Sequence, residues 1–504
     1  MLKCLRSGLL CGCCILLAGA PAHAATTPAA TGFLDRVTWG VNEASVRDLT
    51  QMGQRDWLEQ QLRAPAAPLP PAAQAQSDAM RISREPMAQL VVEMDAQNRA
   101  ANALTDPDQR KAARDAYNKD MAELGRQAQA RSLLRDLYAP GQLREQMTWF
   151  WFNHFNVQAG KRDIRTMVAD YEDQAIRPRA LGRFRDLLEA TLRHPAMLRY
   201  LDNDQNAVGH INENYAREIM ELHSMGVGSG YSQKDVQELA RILTGVGVDL
   251  KPDAPKLKPQ WQPLYVREGL FEFNPARHDF GDKQFLGHTI KGSGFHEVEQ
   301  ALDLIAASPA TAHHVSLQLA TYFTGDNPPP ALVDRMAASF QHSNGDIAAV
   351  LRVMFRSNEF TASLGKQFKD PMHYAVSAVR LAYGDRVVLN TDPLNYWLQR
   401  MGEGLYAHET PDGYAMDAAS WTGPGQMETR FEIARSIGSG SAGLFKPRDG
   451  SQPEQPAFPQ IQNALFYQSL MQRLSPRTSN VLTQARTPQE WNVLYLSSPD
   501  FMHR

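Results

Sequence analysis

Apolar residues recur at three- and four-residue spacing along most of the chain, and this periodicity predicts a succession of amphipathic helices. Short helices are expected to start near Asn42 and Gly53, and longer ones over Ile164–Ile176 and Gly182–Arg193. Only residues 264–292 change texture, with aromatic and β-branched residues around turn signals that predict a hairpin. The predicted fold is mainly α, a large multi-helix domain with a small β-hairpin insertion.

Composition along the chain suggests the domain organisation. We interpret residues 25–63 as N-terminal helices, residues 64–80 as a linker rich in proline and alanine, and residues 81–504 as the main helical domain. Within this domain, residues 91–130 carry dense charge and few apolar side chains. That segment is therefore predicted to be an exposed helical arm.

The first 24 residues have the features of a secretory signal peptide. Lys3 and Arg6 form a basic region, an apolar run covers Leu9–Ala18, and Ala22-His23-Ala24 is a small-x-small cleavage site. All four cysteines lie in this segment. The mature chain is therefore expected to be cysteine-free, without disulfides, cysteine nucleophiles or thiolate metal sites, and to be periplasmic or secreted.

Composition and charge limit the classes of function that are expected for this protein. Of the 504 residues, 43% are hydrophobic and 21% charged, as in ordinary globular proteins. Losing Lys3 and Arg6 with the signal takes the formal charge from -3 to -5, so no basic footprint for nucleic acid is present. No later apolar run reaches the roughly 18 residues of a spanning helix, so no stable membrane insertion is expected after cleavage.

The most polar helical stretch lies between Asn212 and Gly247 and predicts two helices joined by a glycine-rich turn. Ser232 and Asp235 resemble a capping box at the start of the second helix. Arg217 and Glu221 are four residues apart, the spacing of an exposed ion pair. Alternatively, Glu218, Glu221 and His223 form a buried cluster that binds a cation or performs acid/base chemistry, with Arg217 as counter-charge.

Other candidate residues lie far apart in the sequence. His154 ends an aromatic helix, and His278 and Asp279 lie in the predicted hairpin, where they project into a cleft or only shape the loop. Residues 406–425 form a long loop, a type of segment that is often functional. The common nucleotide-binding, serine-hydrolase and zinc-protease motifs are absent. The sequence therefore leaves cofactor and metal unknown.

Several segments carry a resemblance to a known family. Each of these segments contains a short motif of polar and aromatic residues. In chain order the motifs read WFNHFNV, HPAMLRYLDN, NENYAREIMELHSMGV, GYSQKDVQELARILTG, FNPARHDFGDKQFLG, PDGY followed by a tryptophan, and LSSPDF. Together they resemble the bacterial family called domain of unknown function 1800, from Arg36 to the C-terminus.

The resemblance implies a helical secreted or periplasmic protein, often encoded beside a protein similar to phosphatases and sulfatases. It assigns no catalytic residues. The first hypothesis is an extracytoplasmic hydrolase or lyase that uses Glu218, Glu221, His223, Arg217, His154 and His278. The second is a non-catalytic helical partner or chaperone of the phosphatase- or sulfatase-like neighbour, and the third is a metal-binding module.

Overall fold

The computed structural model describes residues 27–63, 67–448, 451 and 458–504. The predicted signal peptide, with its four cysteines, lies outside the described residues. Within those ranges, none of the helices is both long enough and apolar enough to cross a membrane.

The N-terminal helices form where their caps predict. They are α1 (Pro28–Val37), α2 (Glu43–Met52) and α3 (Gln54–Arg63). The Asn42 side chain accepts a hydrogen bond from the Ser45 N–H at 3.0 Å and so caps α2. Phe33, Trp39 and Trp57 from this region belong to the principal apolar core, so these helices pack onto the remainder of the fold.

The segment predicted as a linker is largely helical. It holds α4 (Pro71–Asp78), followed by α5 (Arg81–Arg84), α6 (Met87–Ala103) and α7 (Pro107–Tyr138). Helix α4 begins within this proline-rich segment because proline is favourable in the first turn of a helix, and the side chains of Ala73 and Ser77 are buried. The arm over 91–130 is helical, and α6 and α7 enclose a small separate apolar cluster of Leu90, Met94, Met121 and Leu124.

The region predicted as one helix over 164–176 is interrupted. After α8 (Gln142–His154) come a 3-10 turn at Ile164–Thr166, α9 (Val168–Asp170), a π-helix at Tyr171–Ile176, a second 3-10 turn at Arg177–Arg179, α10 (Phe184–Arg193) and α11 (Pro195–Tyr200). In the π-helix the Arg177 N–H donates to the carbonyl of Glu172, five residues earlier. Pro178 has no N–H to donate, and the Gln174 carbonyl instead accepts a bond from the Arg179 side chain. π-Helices are rare and are often found at functional sites.

The polar stretch forms the predicted helix-turn-helix. A 3-10 turn at Asn203–Gln205 leads to α12 (Asn214–Glu221) and α13 (Gln233–Ile242). The capping box of Ser232 and Asp235 is confirmed, since each side chain bonds the backbone of the other.

The β insertion holds two small antiparallel sheets. The strands are β1 (Val246–Val248), β2 (Val266–Glu268), β3 (Phe271–Phe273), β4 (Lys283–Phe285) and β5 (His288–Ile290), with 3-10 turns at Pro259–Leu264 and Pro275–Arg277. One sheet has the order β1-β3-β2, and the other pairs β4 with β5. The mainly α class with a small β insertion is confirmed.

Helices make up most of the remaining chain. They are α14 (Phe295–Ala307), α15 (Pro309–Thr324), α16 (Pro330–His342), α17 (Ile347–Phe355), α18 (Asn358–Ser363), α19 (Pro371–Tyr383), α20 (Asp392–Arg400), α21 (Pro424–Gly438), α22 (Tyr467–Arg473), α23 (Pro476–Leu482), α24 (Pro488–Leu496) and α25 (Pro499–Met502), with 3-10 turns at Ala419–Trp421 and Ile461–Asn463. The long loop predicted before α21 is present and lies against the C-terminal end of α8, where Asn156 bonds the carbonyls of His408 and Thr410.

Candidate functional site

The charged face of α12 is an ion-pair network at the surface. Arg217 bonds Glu213 and Glu221, both at 3.2 Å, and its side chain is 36% exposed. Its guanidinium also donates to Gln233 on α13 at 2.9 Å. These contacts match the expectation of exposed pairs four residues apart, so Arg217 and Glu221 stabilise the helix-turn-helix.

Glu218 is half-buried on the same helix. Burial raises the pKa of its carboxyl, and the negative charge of Glu221 adds to the rise. His223 is joined to it only through the backbone, where the His223 N–H donates to the Glu218 carbonyl at 3.0 Å. Among the described residues, no hydrogen bond links the Glu218 carboxylate to an imidazole, so the predicted Glu218–His223 pair does not form.

The structure does bring His154 and His223 together, with ring centroids 6.1 Å apart. His154 Nε2 donates to the His223 carbonyl at 3.0 Å. Neither ring nitrogen of the buried His223 has a hydrogen-bond partner in the described part of the chain. Burial lowers the pKa of His154 to about 3 and that of His223 well below its usual value. Both rings are therefore neutral and unsuited to proton transfer at neutral pH.

A third imidazole, His314 on α15, lies 6.3 Å from the His154 ring and was missed by the sequence analysis. Even so, no group of three or more histidine, cysteine, aspartate or glutamate side chains is arranged to hold a metal ion within the residues that the structure describes. Within the cluster, the buried His223 ring packs beside Phe155, with centroids 5.0 Å apart.

His278 belongs to a different, fully buried network. Its Nε2 bonds Glu297 Oε1 at 2.8 Å, and its Nδ1 lies 2.8 Å from the Thr244 carbonyl. Lys283 donates to the other oxygen of Glu297 and to the Asp279 carbonyl. Of the two alternatives for His278, projection into a cleft or shaping of the loop, these bonds favour the second, because they use both ring nitrogens to join the β insertion to α14.

A second group of acidic side chains meets inside the protein. Asp136 on α7, Glu145 on α8, Glu172 on the π-helix and Glu403 after α20 line one small cavity together with Arg177. All five are buried. We call this group the carboxyl cavity. Carboxyl groups are almost never buried unless they are paired or neutral, so their protonation states decide what the cavity can do.

Three arginines offset three of the nearby carboxylates. Arg177 pairs with Glu145 and Glu172 and reaches Asp173 at 3.3 Å. Arg131 and Arg135 also pair with Asp173. These contacts leave two further cavity acids, Asp136 and Glu403, to be neutralised in another way.

Asp136 and Glu403 have no ion pair with a cation among the described residues. Oδ2 of Asp136 and Oε1 of Glu403 are buried without a hydrogen-bond partner there. Burial raises the pKa of both carboxyls well above their usual range, and the charge of Glu172 adds to the effect on Asp136. Both shifts favour the protonated, neutral form of these carboxyls.

Glu172 is tuned differently. Burial raises its pKa to about 7, and the charge of Asp173 adds to the rise. Its Oε2 accepts hydrogen bonds from the Tyr406 hydroxyl at 2.6 Å and from Ser132 at 3.2 Å. A carboxyl with a pKa near neutrality can accept and release a proton under ordinary conditions.

The space between these groups is small. The cavity volume is about 20 Å³, which exceeds the roughly 10 to 15 Å³ that one water needs. Tyr406 and Tyr414 of the long loop form one wall. Asn153 fastens this wall, because its side chain bonds both the N–H of Tyr414, at 2.6 Å, and the carbonyl of Tyr414, at 2.9 Å.

Gly413 is required at this contact. Its φ is +72°, and a Cβ there would lie 2.2 Å from the Asn153 carbonyl oxygen. No other residue fits without moving the loop. The motifs WFNHFN and PDGY thus meet in space to close the cavity.

A buried aspartate–histidine–tyrosine chain lies beside the cavity. Asp370 bonds His373 Nδ1 at 2.7 Å, and Tyr322 lies 3.3 Å from His373 Nε2. Trp149, which lines the cavity, stacks on Tyr322 with centroids 5.9 Å apart. The charge of Asp370 also contributes to the raised pKa of Glu403, so the two groups are coupled electrostatically.

Sequence reasoning missed every carboxyl of the cavity, although a signal is present. Glu172 lies four residues after Val168 and four before Ile176, both of which are fully buried. Asp136 lies three residues after the buried Leu133. An acidic residue in register with an apolar stripe marks a buried charge.

The comparisons with known proteins agree with the resemblance. No curated protein and no solved structure gives a significant match to this chain. The family model described as "Protein of unknown function (DUF1800)" matches residues 32–503, nearly the whole sequence. The chain therefore belongs to this family of proteins of unknown function.

Proposed function

We propose that the protein is an extracytoplasmic enzyme of the hydrolase or lyase class that performs general acid–base chemistry in the carboxyl cavity. One observation carries the proposal: two carboxyl groups whose pKa values are raised well above their usual range and a glutamate with a pKa of about 7 line a space of water size. Titratable groups whose pKa values are pushed apart at one site are typical of acid–base catalysis.

In this proposal Glu172 is the general base. Its pKa near neutrality provides both a sizeable deprotonated fraction and a driving force for proton uptake. The Tyr406 hydroxyl, 2.6 Å from Glu172 Oε2, holds the carboxylate in place. Arg177 pairs with the other oxygen of Glu172 and limits the rotation of the group.

Asp136 and Glu403 are the general acids, because each is protonated and has one oxygen without a partner in the described structure. A substrate oxygen or nitrogen placed there would receive the proton directly. Room for one water supports hydrolysis over elimination, since hydrolysis needs a water beside the base. Substrate entry requires the wall formed by Tyr406 and Tyr414 to move.

The extracytoplasmic location rests on the sequence of residues 1–24, with cleavage expected after Ala24. Fractionation of cells that express the full chain, followed by N-terminal sequencing, tests this part separately. A mature N-terminus at Ala25 in the periplasm or medium supports it, and a full-length cytoplasmic protein contradicts it.

The catalytic part is tested with the mature protein and a panel of ester, glycoside, phosphodiester, sulfate-ester and peptide substrates. We expect Glu172→Gln to lower turnover by about 10²- to 10⁴-fold, the usual contribution of a general base. Glu221→Gln is the matched control, since it removes one acid from a surface ion pair. Equal activity of the two variants, or no turnover of any substrate by the parent, contradicts the proposal.

The non-catalytic alternative, a partner or chaperone of a phosphatase- or sulfatase-like protein, predicts a different outcome. Under it, Glu172→Gln changes stability or association with the co-expressed neighbour, and no substrate is turned over. The metal-binding alternative lacks a ligand set within the described residues.

A further inference from the structure

A larger groove lies between α1, the segment 361–369 and the C-terminal helices. It encloses about 780 Å³, within the range of small-molecule sites. None of the residues that line it lines the carboxyl cavity. The groove is therefore a separate candidate binding site.

One cation in this groove is deeply buried. The side chain of Lys369 is 2% exposed, and its Nζ lies 3.2 Å from both Asp35 and Ser377. The ammonium also lies 4.2 Å from the centroid of the Phe501 ring, a cation–π contact. Burial lowers the pKa of Lys369, and the charge of Asp35 opposes this effect.

A second cation, Arg473 at the end of α22, has no ion pair or hydrogen bond with any described residue. Its guanidinium lies against Gly32 of α1, where a Cβ would be 3.6 Å from the guanidinium carbon, an ordinary van der Waals distance. The positive charge of Arg473 contributes to the lowered pKa of Lys369 and of Arg36, so the guanidinium lies within electrostatic range of both.

Further buried cations stand behind the groove wall. Arg36 and Arg504 donate to backbone carbonyls of Phe323, Ser363 and Tyr322 and have no carboxylate partner in the described structure. Carbonyl groups do not neutralise a guanidinium. Positive charge is therefore concentrated on this side of the groove, where the charges of Asp35 and Asp370 offset part of it.

Two acids line the groove, and one of them is paired with a cation. Asp35 pairs with Lys369, whereas Asp500 accepts hydrogen bonds from the hydroxyl of Ser475 at 2.8 Å and its N–H at 3.2 Å and keeps its negative charge. Three cations, Lys366, Lys369 and Arg473, line the same groove, so positive charge is in excess there. Part of the groove wall is apolar and includes Leu381, Leu470, Leu474 and Phe501.

We propose that this groove binds a small organic carboxylate with an apolar body, whose acid group pairs with Arg473 next to Lys369. The planar guanidinium matches a carboxylate in a bidentate pair, and the apolar wall covers the hydrocarbon part of the ligand. A single arginine lines the groove, and its one positive charge matches a singly charged acid group better than a phosphate dianion.

The test uses decanoate as the probe, with acetate and decylamine as controls, titrated calorimetrically into the mature protein. We expect saturable one-to-one binding of decanoate, at least tenfold weaker binding of acetate, and no saturable binding of decylamine. Arg473→Gln should weaken decanoate binding at least tenfold. Arg477→Gln, on the exposed face of the adjacent helix α23, should leave it unchanged.

A second variant covers the case in which Arg473→Gln is poorly folded. Lys366→Glu changes an exposed lining residue and should also weaken decanoate binding. Glu172→Gln should leave it unchanged, which separates this site from the carboxyl cavity. The proposal is overturned if decanoate does not bind at millimolar concentration, if decylamine binds equally well, or if neither groove variant weakens binding.

Discussion

Two acidic regions of this molecule use the same residue types with opposite physical results. On α12, Arg217 lies between Glu213 and Glu221 with its side chain 36% exposed. In the carboxyl cavity, Arg177 lies between Glu145 and Glu172 with its side chain 9% exposed. The local pairing is alike, whereas access to water differs.

Water determines the chemistry of each region. Around Arg217, solvent screens the charges, and each pair is worth only tenths of a kcal/mol. Inside the cavity, screening is weak, so a carboxyl either pairs with a cation or takes up a proton. The raised pKa values of Asp136 and Glu403 favour the second course.

The largest expected effect on the free energy of unfolding comes from replacing Arg177, with Arg217 as the surface comparison. Arg177→Met leaves two buried carboxylates without their cation and should lower the free energy of unfolding by about 3 to 5 kcal/mol. Arg217→Met, the matched surface change, should cost less than about 1 kcal/mol. Urea denaturation of both variants at pH 7 measures the difference. Similar losses would mean that the two regions do not differ in screening.

The next effect is a pH dependence that only the cavity should show. The folded chain keeps protons on Asp136 and Glu403, whose pKa values are raised, while the unfolded chain releases them above about pH 4. Their contribution to stability is thus present below pH 4 and is lost as the pH rises towards the folded-state pKa. The loss is at most about 1.4 kcal/mol per pH unit for each group.

Asp136→Asn combined with Glu403→Gln removes both titrations. Relative to the parent, this double variant should become steadily more stable between pH 5 and pH 8, as measured by urea midpoints at each pH. Glu221→Gln is the surface control, and its stability should change with pH in the same way as that of the parent. A double variant that also tracks the parent would show that the two cavity acids are ionised in the folded protein.

A smaller effect is expected at the buried end of the polar stretch. His223 stays neutral in the folded chain because burial lowers its pKa, whereas in the unfolded chain it binds a proton below about pH 6.5. The parent therefore loses stability as the pH falls below 6.5, and His223→Leu should reduce that loss by at most about 2 kcal/mol at pH 5. Thermal unfolding at pH 5 and pH 7 tests this. An unchanged pH dependence would show that the imidazole is protonated in the folded state.

The smallest effect belongs to the surface pair itself. Glu221→Gln should change the free energy of unfolding by less than about 0.5 kcal/mol, and 1 M salt should remove most of that difference, since salt screens exposed charges. A change in the free energy of unfolding above about 2 kcal/mol would show that solvent does not screen the α12 network. The network and the cavity would then not differ in screening.

Local patterns explain how much of this architecture is predictable from the sequence. The helix-turn-helix over α12 and α13 follows from its apolar period and from the capping box of Ser232 and Asp235, which both act within a few residues. The same local reasoning gives the mainly α class and the long loop before α21.

The carboxyl cavity follows from tertiary contacts, which periodicity does not encode. Its acids come from four separate segments and meet only when α7, α8 and the residues after α20 pack around the π-helix. The π-helix itself depends on the backbone near Pro178, where a regular period predicts an ordinary helix. The density of polar residues led to the prediction of a site at Glu218 and Glu221. A dense group of polar residues is, however, typical of an exposed helix face. A single acid within an apolar stripe instead indicates a buried site.

The protonation state of Asp136 and Glu403 at neutral pH tests the account most directly. Infrared difference spectra of the parent against Asp136→Asn and against Glu403→Gln isolate the carbonyl stretch of a protonated carboxylic acid. The account predicts this band at pH 7 in the parent, its partial loss in each single variant, and no comparable change in Glu221→Gln. A parent spectrum that shows only ionised carboxylates at these two positions would contradict it.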